Sequence, residues 1–227
     1  MNLAPLGYRG RTIDSKGIQR AIIATLLLGT LGACTGASVQ APVKFPVPVV
    51  ESLPLNMGLV LSDELRSYVH QEKLENNGTW VIDIGDAQQP MFENLFSGLF
   101  QSYETLAKVN GQSSSHNGVI VPNIAQAQFS IPSQTRTDYF EVWIRYQIQL
   151  FDEQTLIAEW PITAYGKANV RNYGLVSTNE ALTAAARAAC RDAMAFFAVE
   201  FGADPKIRAW LDNEIPNLTT EKSTVSS

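Results

Sequence analysis

Few side chains in this sequence could carry chemistry, and their spacing limits what each can do. Asp83 and Asp86 flank Gly85 directly after the apolar run 79–84, a strand end where two carboxylates could share proton transfer. No nucleophile or base recurs beside them, so the pair reads as a turn and a helix cap. Two histidines, His70 and His116, and two cysteines, Cys34 and Cys190, are the remaining candidates. Neither histidine stands at metal-ligand spacing from Cys, Asp or Glu, and both read as solvated. The sequence has no Gly-x-Ser-x-Gly elbow, no phosphate loop with Lys and Ser/Thr, and no dinucleotide glycine pattern between a strand and a helix. A non-catalytic chain without metal or cofactor is therefore expected. What remains is surface: Tyr139, Trp143 and Arg145 on one face of an alternating stretch, then Lys167, Arg171 and Tyr173 in the loop that follows. These types are enriched at interface hot spots, so the six residues form a candidate interaction surface. The competing reading is that Trp143 covers part of a helix within the fold.

Cys34 has a distinctive setting. Arg9, Arg11, Lys16 and Arg20, opposed only by Asp14, lead into a 13-residue apolar run that ends at Ala33. A helix of that length covers roughly 20 Å, short of the ~30 Å hydrocarbon core, so an export signal fits better than a membrane span. The run closes on Leu31-Gly32-Ala33-Cys34, which resembles the lipobox of bacterial lipoproteins. That resemblance implies that the Cys34 thiol receives a diacylglycerol, that residues 1–33 are removed, and that the new amino group is acylated. Several acyl chains anchor far more firmly than one. Thr35 stands where lipoprotein sorting reads an aspartate as inner-membrane retention, so the resemblance points to the periplasmic face of the outer membrane. The lipid on Cys34 would be the only attached group.

The whole chain has 227 residues, 17 basic and 22 acidic, a net charge of −5. Loss of the leader removes four basic residues and one acidic residue, so the mature protein stands near −8. Nucleic acid is excluded as a partner on that balance, and anionic lipid cannot hold the protein by charge. With Cys34 acylated, Cys190 is alone, and no disulfide can form within one chain.

The elements that must position these residues can be read from periodicity. Residues 34–52 contain Pro42, Pro46 and Pro48 and read as an extended tether, and 216–227 as a disordered tail, which leaves 53–215 as one domain. Strands are predicted at 57–61 and 79–84, with a brief helix carrying His70 between them. Apolar residues at spacings of three and four from Met91 to Leu106 predict a helix starting near Pro90. A flexible loop at 109–118 precedes an extended stretch at 119–131. Six apolar residues alternate with polar ones from Tyr139 to Leu150, a strand whose register is set by that pattern. A turn at 152–155 returns it as 156–165, where Pro161 requires an edge or a bulge. Ser177 and Glu180 form a capping-box pattern opening an Ala-rich helix over 178–201, and Asp204-Pro205 opens a last helix. Phe196, Phe197, Val199 and Phe201 are expected to fill the deep end of the Ala-rich helix, with Cys190 buried in its small-residue face. The order implies an α+β fold: a two-layer sandwich with a mixed sheet, a C-terminal antiparallel meander and a long Ala-rich C-terminal helix.

The strand at 57–61, the following helix, the 139–165 hairpin and the Ala-rich helix together resemble periplasmic α/β lipoproteins. These include the curli-secretion and exopolysaccharide-export lipoproteins and the auxiliary lipoproteins of lipid-transport ABC systems. The resemblance is one of pattern over most of 53–212. It implies a binding or scaffolding subunit of an envelope export, transport or assembly machine, with other envelope proteins or copies of itself as partners. Two alternatives stand beside it: a carrier or sensor of an apolar small ligand beside Phe92, Phe96 and Phe100, and an envelope hydrolase using a perturbed Asp83 or Asp86 in a cleft.

Overall fold

The computed structural model describes residues 36–109, 115–176 and 178–215. The expected leader, Cys34, Ser177 of the capping box and the 216–227 tail lie outside the described residues. Two sheets and two main helices share one apolar core. In chain order the strands are β1 (Gly36–Gln40), β2 (Leu53–Val60), β3 (Val69–Leu74), β4 (Gly78–Asp83), β5 (Phe100–Leu106), β6 (Gly118–Ser130), β7 (Tyr139–Asp152) and β8 (Thr155–Asn169). The helices are α1 (Asp63–Arg66), α2 (Gly85–Leu99), α3 (Pro132–Thr135), α4 (Thr178–Glu200) and α5 (Pro205–Glu214), with a 3-10 segment at Val170–Val176. The larger sheet runs β5-β2-β6-β7-β8 and the smaller one β1-β4-β3. Strand β2 pairs parallel with β5 and β6, and β6, β7 and β8 form an antiparallel meander. The fold is α+β with a mixed main sheet and a long C-terminal helix.

The alternation seen in 139–150 sets the central register. Phe140, Val142, Ile144, Tyr146, Ile148 and Leu150 face the helices, opposite Ala168, Gly166, Ala164, Ile162, Trp160 and Ala158 of β8. Slipping by one residue would expose all of them. Pro161 is tolerated because β8 is the outer strand of its sheet. Pro122 sits inside β6 because β2 pairs with that strand only over Gly118, Val119 and Ile120, which leaves the next residues without a ladder partner on that side.

Several expectations change. The tether expected at 34–52 is built into the fold over the first part of its described residues, while Val43, Val47, Val49 and Val50 stay exposed. Residues Gly36 to Gln40 pair with β4, Val39, Ala41 and Phe45 are buried, and the Asn94 amide donates to the Phe45 carbonyl at 3.0 Å. Prolines make this stretch extended, yet extension does not free a chain that has apolar side chains to bury. The domain therefore begins by Gly36, not at 53. Helix α2 starts at Gly85, with Pro90 inside it, and ends at Leu99. Residues 100–106, read as its continuation, form β5 instead. Two aromatics at helical spacing, Phe96 and Tyr103, still meet at 5.8 Å, because the strand returns Tyr103 to the same cluster. His70 lies on β3 rather than on a helix, since α1 ends at Arg66. The described end of the 109–118 loop is tied down: Asn117 exchanges hydrogen bonds with Asn56, each at 2.8 Å.

The Ala-rich helix lies close to the meander. A Cβ on Gly166 would stand 2.1 Å from the Ala185 carbonyl oxygen and 2.2 Å from the Ala189 nitrogen, so helix and strand are in backbone contact there. Phe197 and Phe201 are buried at the deep end, whereas Phe196 and Val199, expected beside them, point outward and are 42% and 77% exposed. Residues four apart share a helix face, and residues one or two apart do not.

Candidate interaction surface

The polar face of β7 lies opposite the helices. Register places Gln128, Trp143 and Tyr165 in one cross-strand row, Gln126, Arg145 and Thr163 in the next, and Ser130, Glu141 and Lys167 in a third. Trp143 is half-buried without lying under a helix. Its ring packs on Tyr165, centroids 5.3 Å apart and tilted by 37°. The Tyr165 hydroxyl donates to Glu141 at 2.5 Å, and the other Glu141 oxygen accepts from Ser130 at 3.0 Å. Burial, then the hydrogen bond to Glu141 and its charge, push the Tyr165 hydroxyl up to about 12. The phenol therefore stays neutral at physiological pH and works as a donor that fixes Glu141. Arg145 is exposed and meets no carboxylate within ion-pair distance among the described residues. A shallow depression of about 340 Å³ lies over this patch, lined by Gln126, Gln128, Trp143, Arg145 and Thr163.

The other expected members fall around this patch. Lys167 is exposed, and its ammonium lies 5.2 Å from the centre of the Tyr139 ring, a cation–π contact. Arg171 binds Asp138 at 2.9 Å, so its charge is partly compensated locally. Tyr173 is exposed on the 3-10 segment beyond the sheet. The structure thus joins Tyr139, Trp143, Arg145 and Lys167 on one sheet face, with Arg171 at its end and Tyr173 outside it. Sequence reasoning missed Tyr165, Gln126 and Gln128. Pairing register alone brings them to Trp143, and no local pattern reports that.

The other candidates have structural duties. Asp83 accepts the Gly85 amide at 3.1 Å, and Asp86, exposed, accepts from Gln40 on β1 at 2.8 Å. Neither histidine is simply solvated. The His116 side chain is 4% exposed, with Nε2 3.3 Å from Glu104 and Nδ1 3.1 Å from the Ser115 hydroxyl. His70 is half-buried, 3.6 Å from Glu72 and edge-on to Phe129. Phe92, Phe96 and Phe100 are packed against Tyr146, Tyr103, Phe197 and Phe201 with centroids 5.3–6.1 Å apart, and Phe96 and Phe100 meet each other at 5.0 Å. Those three rings fill the core rather than line a chamber, which removes the seat proposed there for an apolar small ligand.

Cys190 is buried against Tyr146, whose hydroxyl donates to Gln88 at 3.0 Å, while the Gln88 amide donates to the Ile84 carbonyl. Burial pushes the thiol up to about 12, only partly offset by the hydrogen bond with Tyr146. Only the thiolate is a good nucleophile, so Cys190 is expected to resist iodoacetamide at pH 7.5 in the native protein and to react once denatured. Mass measurement of the alkylated protein decides; rapid native labelling would show that the interior opens.

No family model matches the chain, and no curated protein matches its sequence. Among solved structures it is similar to protein XCC0632 from Xanthomonas campestris, of the DUF330 family model, at 10% identity over 72% of this chain and 91% of that one, TM-score 0.45. A candidate lipoprotein from Caulobacter crescentus CB15 is similar at 9% identity over 57% of this chain and 84% of that one, TM-score 0.38. Protein CT253 from Chlamydia trachomatis is similar at 9% identity over 67% of this chain and all of that one, TM-score 0.36.

Proposed function

We propose that this protein is a lipid-anchored periplasmic subunit of the outer membrane, serving as a non-catalytic binding or scaffolding part of an envelope export, transport or assembly machine. Its contact surface is the open face of the larger sheet. The observation that carries the reading is that aromatic and cationic side chains, Trp143 with Tyr165 and Arg145 with Lys167, stand together on a sheet face that no described helix covers. Glu141 and Glu159 share that face but accept hydrogen bonds within it, from Tyr165 and Ser130 and from Gln147 and Gln149, and Trp, Tyr and Arg are the residue types that anchor interfaces. A partner with carboxylates around an apolar anchor fits it. The Leu31-Gly32-Ala33-Cys34 sequence supports the anchoring part, and no helix among the described residues is long and apolar enough to cross a membrane.

Two variants test the two halves. Cys34→Ala is expected to leave the precursor at full mass and without lipid; normal processing, judged by mass, would refute the anchor. Trp143→Ala combined with Arg145→Ala is expected to reduce capture of cross-linked partners from membranes by about tenfold or more, the scale of one interface hot spot. Its free energy of unfolding should fall by less than the ~3–5 kcal/mol of a fully buried aromatic truncation, because Trp143 is only half-buried. Equal capture by variant and wild type would remove the surface from consideration.

A further inference from the structure

The described chain enters the fold beside a second cavity, of about 450 Å³, at the junction of the two sheets. Trp80 of β4, Ile131 before α3, Phe140 of β7 and Val170 line it with apolar surface, and Gly36 lies at its edge. Its size is in the range of small-molecule sites. Thr178 and Asn179, both exposed, add polar groups to its lining, whereas those around Asn77 are engaged with one another. The Trp80 indole N–H donates to the Asn77 carbonyl at 2.7 Å, and the Ser133 hydroxyl donates to the Asn77 side chain at 3.2 Å. The larger part of the lining open to an occupant is nonetheless apolar.

The position of Gly36 selects the occupant. Its φ is +138°, and a Cβ there would stand 2.3 Å from the Thr79 carbonyl oxygen, so only glycine lets β1 begin this close to β4. The backbone is pinned at the cavity edge, and Cys34 is two residues upstream, at most about 7 Å of extended chain away. A lipid on Cys34 is thus tethered at the mouth, and its entry is an intramolecular step favoured by high effective concentration.

We propose that the Trp80–Ile131–Phe140–Val170 cavity is the seat of one acyl chain of the lipid carried by Cys34 of the same molecule. The seat is filled when the protein is outside a bilayer and emptied when the chain passes into one. This rests on the lipidation of Cys34 proposed above. Inside a bilayer the acyl chain is already in an apolar medium and has little to gain from the seat. In water its methylenes gain from apolar contact, and the open cavity offers that contact along one side of the chain during transit.

The test uses the full protein isolated from cells grown on a diazirine-bearing fatty acid, with the label on Cys34 established by mass. Irradiated in detergent-free buffer, the acyl chain is expected to cross-link within its own molecule to Trp80, Ile131, Phe140 or Val170. Addition of phosphatidylethanolamine vesicles should shift the cross-links to lipid. Labelled protein whose cross-links fall elsewhere on the surface, or join two copies into a covalent dimer, overturns the seat while leaving lipidation intact. Protein that carries no label refutes lipidation and the seat together. Val170→Asp, at a half-buried position, should abolish the in-chain cross-link with an unchanged circular dichroism spectrum. Persistence of the cross-link at the same residues in that variant would also overturn the proposal.

Discussion

Gly166→Val is expected to lower the free energy of unfolding by about 3 kcal/mol or more, at or beyond the upper end of ordinary overpacking costs. The position leaves no room to adjust by side-chain rotation. The added Cβ would stand 2.1 Å from the Ala185 oxygen and 2.2 Å from the Ala189 nitrogen, both backbone atoms of α4. Relief requires the helix to move off β8, which would open the contacts of Ala181, Ala185 and Ala189 with the sheet. Total stabilities are commonly 5–15 kcal/mol, so the loss is a large share of the whole. Guanidinium unfolding measures it, and a decrease below about 1 kcal/mol would contradict the close approach. Gly202→Ala is the matched control. A Cβ there meets nothing within 4 Å, and the change is expected to be neutral or slightly stabilising.

Phe197→Ala is expected to cost about 3–5 kcal/mol, the range for buried aromatic truncation. Phe197 stacks on Phe201 at 5.6 Å with an 11° interplanar angle and meets Trp160 and Phe96 at 6.0 and 6.1 Å. It joins α4 to both α2 and β8, so its removal leaves a void that several elements must close. The neighbouring Phe196→Ala should change stability by no more than about 0.5 kcal/mol, since that ring points away from the core. Equal effects from the two substitutions would show that α4 is rotated from the orientation described.

Helical spacing alone does not separate Phe196 from Phe197, because α4 has apolar residues on more than one side. The same ambiguity ran α2 through Tyr103: apolar residues continue at three and four past Leu99, but the chain straightens at Phe100 to pair with β2. Pairing with a strand more than forty residues away outweighed the local period. The segment 36–51 shows the converse. Its prolines report extension correctly, but burial of Val39, Ala41 and Phe45 depends on β4 and α2, elements the local sequence does not mention. His116 is enclosed for the same reason, through Glu104 on β5, where the helical period of the sequence runs on.

By itself the sequence determined what is local or periodic in this protein. The alternation from Tyr139 to Leu150 set the buried face of the meander, Pro161 required an outer strand, and Asp204 announced the last helix, where its carboxylate accepts the Lys206 and Ile207 amides. It also placed Trp143 and Arg145 together on the polar side. Only the tertiary structure decided that this side stays open, that Tyr165 and Glu141 complete it, and that the chain is folded from Gly36 onward beside an apolar cavity. A strand's period says which residues share a face. What covers that face depends on contacts between segments far apart in sequence, whose energies come from packing and pairing that no single segment contains.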